Sequence, residues 1–175
     1  RLYVTIDAYQ IDIDDRVDPA TNAPGATTSA SAAAATTNAF QTRWLRLDFD
    51  QTTDEATSWA FRVPANYSSG GTVTIQWYST PTTGNVVWKA SIYVATASSS
   101  DIDTSAAFNT VDTFAAEAVP ATLGQFKTSS KALTSPGLAA SRWAIVMIGR
   151  DADNAADTAA GDVHLISASF TYTST

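Results

Sequence analysis

At 175 residues the chain suits a single domain, residues 1–175, with room for a sizeable core. Only 15% of residues are charged, and 17 Asp+Glu against 10 Lys+Arg leave a net charge of −7, a balance that disfavours nucleic acid and anionic membrane as partners. Cysteine is absent, which excludes a disulfide framework and a thiolate metal site, and no apolar run is long enough for a transmembrane helix. No signal peptide is recognisable, and the start at Arg1 rather than methionine points to a processed or trimmed end.

Residues 1–18 read as a strand. Leu2, Val4, Ile6 and Ala8 share one parity and Tyr9, Ile11 and Ile13 the other, the trace a β-bulge or a change of sheet leaves in sequence. Asp12, Asp14, Asp15 and Asp18 offer a cation site or, the preferred reading, the solvated face of an edge strand. Residues 19–42 are rich in Ala, Thr and Ser and hold no large apolar side chain before Phe40. Such a segment does not offset its ordering entropy alone, so it is expected to be a long loop or an arm on a neighbouring subunit. Its alanine run, Ala32, Ala33, Ala34 and Ala35, is long enough for one helical turn and too short to stand as a helix.

Alternation returns at Arg43–Asp50, with Leu45, Leu47 and Phe49 inward. The organising part of the chain follows, Trp59 to Val94, where three of the five Trp and three of the six Tyr lie. Val73, Ile75 and Trp77 share one face, and Val86, Trp88, Ala90, Ile92 and Val94 another. The polar turn between these runs predicts an antiparallel hairpin, entered through Gly70-Gly71 with positive φ. Pro64 is expected to end the Trp59 strand, since proline donates no ladder hydrogen bond. Short strands are predicted around Phe108–Phe114 and Val119–Leu133. Arg142–Gly149 is apolar on both faces and reads as a central strand, and Val163–Tyr172 as the closing one. About eight or nine strands without any helical period predict an all-β fold, an antiparallel β-sandwich of jelly-roll type with residues 19–42 as its arm.

Chemistry-bearing positions are few. His164 is the sole histidine and lies in an alternating strand without a serine motif, so a face or core histidine is preferred to a catalytic one. The two glutamates, Glu55 and Glu117, sit in turn-like settings, and no spacing singles out a glycosidase pair. The loop Asp151–Asp162 carries Asp151, Asp153 and Asp157 as weak calcium candidates; Ala155 and Ala156 break the EF-hand spacing, and a solvated hairpin is preferred. Asn66-Tyr67-Ser68 matches a glycosylation acceptor, a pattern common by chance. Trp77 and Trp88 share parity with aliphatic neighbours and are expected in the core. Trp44 and Tyr78 have the opposite parity and are assigned, with Ala32, Ala33 and Ala34, to exposed surface or a subunit interface.

Trp59-x-Phe61-x-Val63-Pro64-x-x-Tyr67, Gly70-Gly71 and an aliphatic strand ending in Trp77-Tyr78 form one pattern. Ile145-Val146-Met147-Ile148-Gly149-Arg150-Asp151, an acidic loop and Val163-x-Leu165-Ile166-x-x-x-Phe170-x-Tyr172 complete it. Across residues 43–174 this resembles small jelly-roll virion proteins of tailed bacteriophages, of the capsid decoration or fibre-tip type. The resemblance implies a non-enzymatic homotrimer in the virion that decorates a phage shell and contacts the major capsid protein, without cofactor, nucleic acid or membrane. The alternative it leaves open is a carbohydrate-binding module of a tail fibre or a lectin-like extracellular domain, with a glycan as partner.

Overall fold

The structure is a computed structural model, and it describes residues 2–7, 28–29, 31–36, 43–100, 108, 110–135 and 137–175. Asp12, Asp14, Asp15 and Asp18, and most of the Ala/Thr/Ser-rich segment, lie outside the described residues. Thirteen strands occur among those described, with no helix: β1 (Leu2–Asp7), β2 (Thr28–Ser29), β3 (Ser31–Thr36), β4 (Arg43–Phe49), β5 (Glu55–Arg62), β6 (Tyr67–Ser79), β7 (Asn85–Val86), β8 (Trp88–Ala95), β9 (Asp112–Thr113), β10 (Glu117–Ala118), β11 (Phe126–Ala132), β12 (Trp143–Arg150) and β13 (Val163–Ser174).

Two sheets face each other in a jelly-roll-like β-sandwich. The first runs β11-β6-β13-β4-β3, and the second β2-β5-β12-β8-β9, with β7 and β10 a short separate ribbon. All pairings are antiparallel except that of β2 with β5. The longest ladder joins β13 to β6; the other edge of β13 is shared by β4, opposite Val163–Leu165, and β1, opposite Ser167–Tyr172. The double-sided apolar run reads correctly as a central strand, since β12 lies between β5 and β8. Pro64 follows the end of β5 at Arg62, where pairing stops.

The core lies between the inner faces. Val73, Ile75 and Trp77 of β6 and Val163, Leu165, Ala168 and Phe170 of β13 meet Trp59, Ala90, Ile92, Val146 and Ile148 of the second sheet. Burying each large side chain contributes about 1.5–3 kcal/mol. Trp77 and Trp88 are 0% and 1% exposed, as their parity predicts. Phe49 packs edge-on against Trp88 at 5.1 Å between ring centroids.

The expected β6–β8 hairpin does not form. β6 belongs to the first sheet and β8 to the second. The connection between them is held by the acidic loop instead of by a shared ladder. Thr80 N donates to Asp162 O at 3.1 Å, and Asn85 N to Thr158 Oγ1 at 2.9 Å. Gly84 has φ +96°, and a Cβ there would stand 2.6 Å from Thr158 O, so only glycine lets the crossing pack this closely. Alternation tells which face a strand buries; it carries no information about which sheet holds it.

Two further readings change. Gly70 has φ +73° but does not divide two segments; β6 runs unbroken from Tyr67 to Ser79, and the glycine sits where its register with β13 shifts. The alanine run is a strand, not a helical turn or free arm: β3 pairs with β4, Ala32 opposite Leu47, Ala33 opposite Arg46 and Ala34 opposite Leu45. A neighbouring strand satisfies the backbone of a segment whose side chains have little to bury.

Candidate functional site

Among the described residues, the solvent face of the first sheet gathers a set of polar and aromatic side chains. Along β6 the residues alternating with its core set are Thr72, Thr74, Gln76 and Tyr78. On β11 the corresponding residues are Phe126, Thr128 and Ser130, by their pairing with β6. On β13 a register shift at Ile166 changes the parity, so that Val163 and Leu165 before it and Ala168 and Phe170 after it all reach the core. That bulge leaves His164 and Ser167 on the same outer face.

Cross-strand register then assembles one row. Phe126 is opposite Tyr78, Tyr78 opposite His164, and His164 opposite Asp48. Four strands set about 4.8 Å apart make the row about 14 Å long. At its edge Phe126 is 61% exposed, and Leu123 in the preceding turn is 68% exposed; these are the exposed large apolar side chains of the described residues. Beside the row lies a hydroxyl and amide surface: Ser167 Oγ donates to Gln76 Oε1 at 2.9 Å, and Thr74 and Ser130 share a hydrogen bond of 2.8 Å.

The polar end is tightly connected. Arg46 grips Asp48 through Nε–Oδ1 at 2.7 Å and Nη2–Oδ2 at 3.2 Å, and its Nη1 donates to the Tyr78 hydroxyl. The guanidinium carbon lies 5.7 Å from the Tyr78 ring centroid, and the Tyr78 and His164 rings are 4.6 Å apart. His164 is 2% exposed, with Nδ1 2.6 Å from Asp48 Oδ1. A carboxylate only accepts, so Nδ1 carries the proton and Nε2 is left as a buried acceptor without a partner. Burial pushes the His164 pKa below the ordinary histidine value; Asp48 pulls it up, and Arg46 adds to the depression.

Tyr78 is thus half-buried under Arg46 on an outer face, rather than freely exposed. Ala32, Ala33 and Ala34 lie in the terminal strand of this same sheet, and Trp44 in β4 opposite Ala35; the Trp44 side chain is outside the described part of the structure. No motif in the sequence marks Phe126 or Asp48 as site residues. The available signal was the parity change between Leu165 and Ala168, which puts His164 on the face opposite the core, but the partners of His164 are fixed only by register.

The acidic loop divides its candidates. Asp151 and Asp153 come together with Asp54, their carboxylate oxygens within 4.8 Å of one another. Lys89, 3% exposed, places its ammonium among them, bonded to Asp54 and to Asp151 Oδ1 at 3.1 Å. Burial works against that charge, but Asp54 and Asp151 outweigh it and raise the Lys89 pKa. Asp157 points elsewhere. It forms a two-pronged pair with Arg150, at 2.7 and 3.1 Å, and both side chains are buried. Arg150 also donates to the carbonyls of Asp50, Ala159 and Gly161, and Val87 N to Asp157 Oδ2. This loop end is therefore a structural clamp built on two buried cations.

No protein-family model matches the chain, and no curated protein does. Solved structures do match. The CBM22-2 xylan-binding domain of Xyn10C from Paenibacillus barcinonensis superposes with a TM-score of 0.51 at 12% identity, over 89% of this chain and 97% of that one. The CBM22-1–GH10 modules of Clostridium thermocellum Xyn10B match at 0.48 and 13% identity, over 82% of this chain and 24% of that one. The enzymatically active domain of bacteriophage CBA120 tailspike protein 4 matches at 0.41 and 9%, over 85% and 18%. Against the longer chains it matches, this chain spans 16 to 24% of their length. The first superposition places the fold among jelly-roll sandwiches of this kind; the other two are too loose to bear on it.

Proposed function

We propose that the chain is a non-catalytic carbohydrate-binding module whose ligand lies on the outer face of the first sheet. The observation that carries this reading is the row Phe126–Tyr78–His164–Asp48, an exposed aromatic ring in register with polar side chains on one sheet face. A sugar ring has an apolar C–H face and a rim of hydroxyls. Phe126 suits the first, and the Gln76, Ser167 and Thr128 surface suits the second. The similarity to a xylan-binding domain supports it at the level of fold. Jelly rolls serve lectins and viral capsids alike, so the row, and not the fold, favours sugar binding over shell decoration.

Electrophoresis of the folded chain through native gels containing xylan, mannan, galactan or glucan tests the reading. At least one polysaccharide is expected to retard it, and Phe126→Ala, on an exposed ring, is expected to weaken retention by about tenfold while the fold persists. Unretarded migration in every gel would sink the proposal.

A second reading is a homotrimeric virion subunit that decorates a phage shell. It draws on β3, the terminal strand of the first sheet, whose Ala32, Ala33 and Ala34 let another backbone approach closely. Under it, replacing residues 22–37 by a short Gly/Ser linker weakens self-association in light scattering; a parent chain that is monomeric at all concentrations removes this reading.

A further inference from the structure

The charges of the row cancel internally. Arg46 is engaged by Asp48 at 2.7 and 3.2 Å and by Tyr78, and its side chain is 23% exposed. His164 lies against the same carboxylate at 2.6 Å, with nothing bonded to Nε2. Among the described residues, the groups facing His164 are Asp48 and Arg46 from β4, Tyr78 from β6 and Asp162 just ahead of β13. β11 supplies Phe126 to the row, while Lys127 donates its ammonium to the Ala118 carbonyl. A ligand carboxylate or sulfate would therefore meet no unpaired cation in this row, on a chain of net charge −7.

We propose that this site selects uncharged glycans, and that His164 is the positioning residue that sets the selection through Arg46. The inference rests on the reading of this face as a glycan site. With His164 neutral, Asp48 serves Arg46 and the row is electroneutral. When Nε2 takes a proton, the imidazolium competes for Asp48 and repels Arg46. The carboxylate is then shared by two cations, and the row carries one net positive charge at the ligand face. Acidification converts a neutral-sugar surface into one that also accepts acidic sugars.

Retention of the full chain is compared in native gels holding neutral polysaccharide (xylan, mannan, galactan, glucan) or acidic polysaccharide (polygalacturonate, alginate), at about pH 7.5 and about pH 5. At the higher pH the best acidic polymer is expected to hold the chain about tenfold more weakly than the best neutral one. At the lower pH that ratio moves about tenfold toward the acidic polymer. In His164→Asn, whose amide still donates to Asp48 but does not titrate, the ratio of acidic to neutral retention no longer moves with pH. Arg46→Met, at a partly exposed position, loses the shift as well. Equal retention by acidic polymers at the higher pH, or the same pH shift in both variants, overturns the selection mechanism and leaves the glycan reading standing. Retention by no polymer at either pH overturns both.

Discussion

Trp77 and Trp88 meet edge to face at 5.9 Å between ring centroids, one from each sheet, so the two residues that bracket the Pro81–Gly84 turn join the sandwich across its core. Their polar atoms differ. Trp77 Nε1 donates to Ser129 Oγ at 2.8 Å, whereas Trp88 Nε1 is buried without a partner. Truncating either to Ala is expected to cost about 3–5 kcal/mol in urea denaturation. Trp77→Phe should cost about 1 kcal/mol more than Trp88→Phe, because only the first leaves the buried Ser129 hydroxyl without its donor. Equal costs for the two phenylalanine variants would show that the Ser129 bond contributes nothing.

Arg150 and Asp157 are a fully buried pair within a larger set of hydrogen bonds. Removing one partner strands the other charge, so Arg150→Met and Asp157→Leu should each destabilise by about 3–5 kcal/mol. Their combination should cost less than the sum, since it removes both charges together. A double-mutant cycle by chemical denaturation measures this; strict additivity would mean that the ion pair does not couple the loop to the core.

The burial that depresses the His164 pKa has a sign for stability. The unfolded chain binds a proton at this residue more readily than the native one, so native stability rises with pH across that interval. The contribution is complete above the unfolded value of about 6.5 and is lost as pH falls through the lower native value. Denaturation of the parent between about pH 7.5 and pH 5 should show this loss, and His164→Asn should remove that part of the slope. An unchanged slope in the variant would assign it to another group.

Asp54 and Asp151 already have the Lys89 ammonium as their counterion. Calorimetric titration is therefore expected to give no heat with calcium, and Lys89→Met to lower the melting temperature by leaving close carboxylates unbalanced. Micromolar calcium affinity in the parent, lost on Asp151→Ala or Asp153→Ala, would contradict this account.

Sequence alone determined what each strand does with its own two faces. The alternation Val73-x-Ile75-x-Trp77 puts these residues in the core whatever partner β6 takes, because successive side chains must point to opposite sides. The double-sided apolar run 143–149 likewise demanded a covered strand. Tertiary structure decided everything that depends on which strands become neighbours. It placed β6 and β8 in opposite sheets, paired the alanine run with β4, and drew Arg150 to the carbonyls of Asp50 and Gly161. The candidate site is of this second kind. His164 and Asp48 are 116 residues apart and meet only through the register of β13 with β4, after a one-residue bulge has turned His164 outward. Periodicity is a local property of a backbone, while register is chosen by the energy of the whole sandwich.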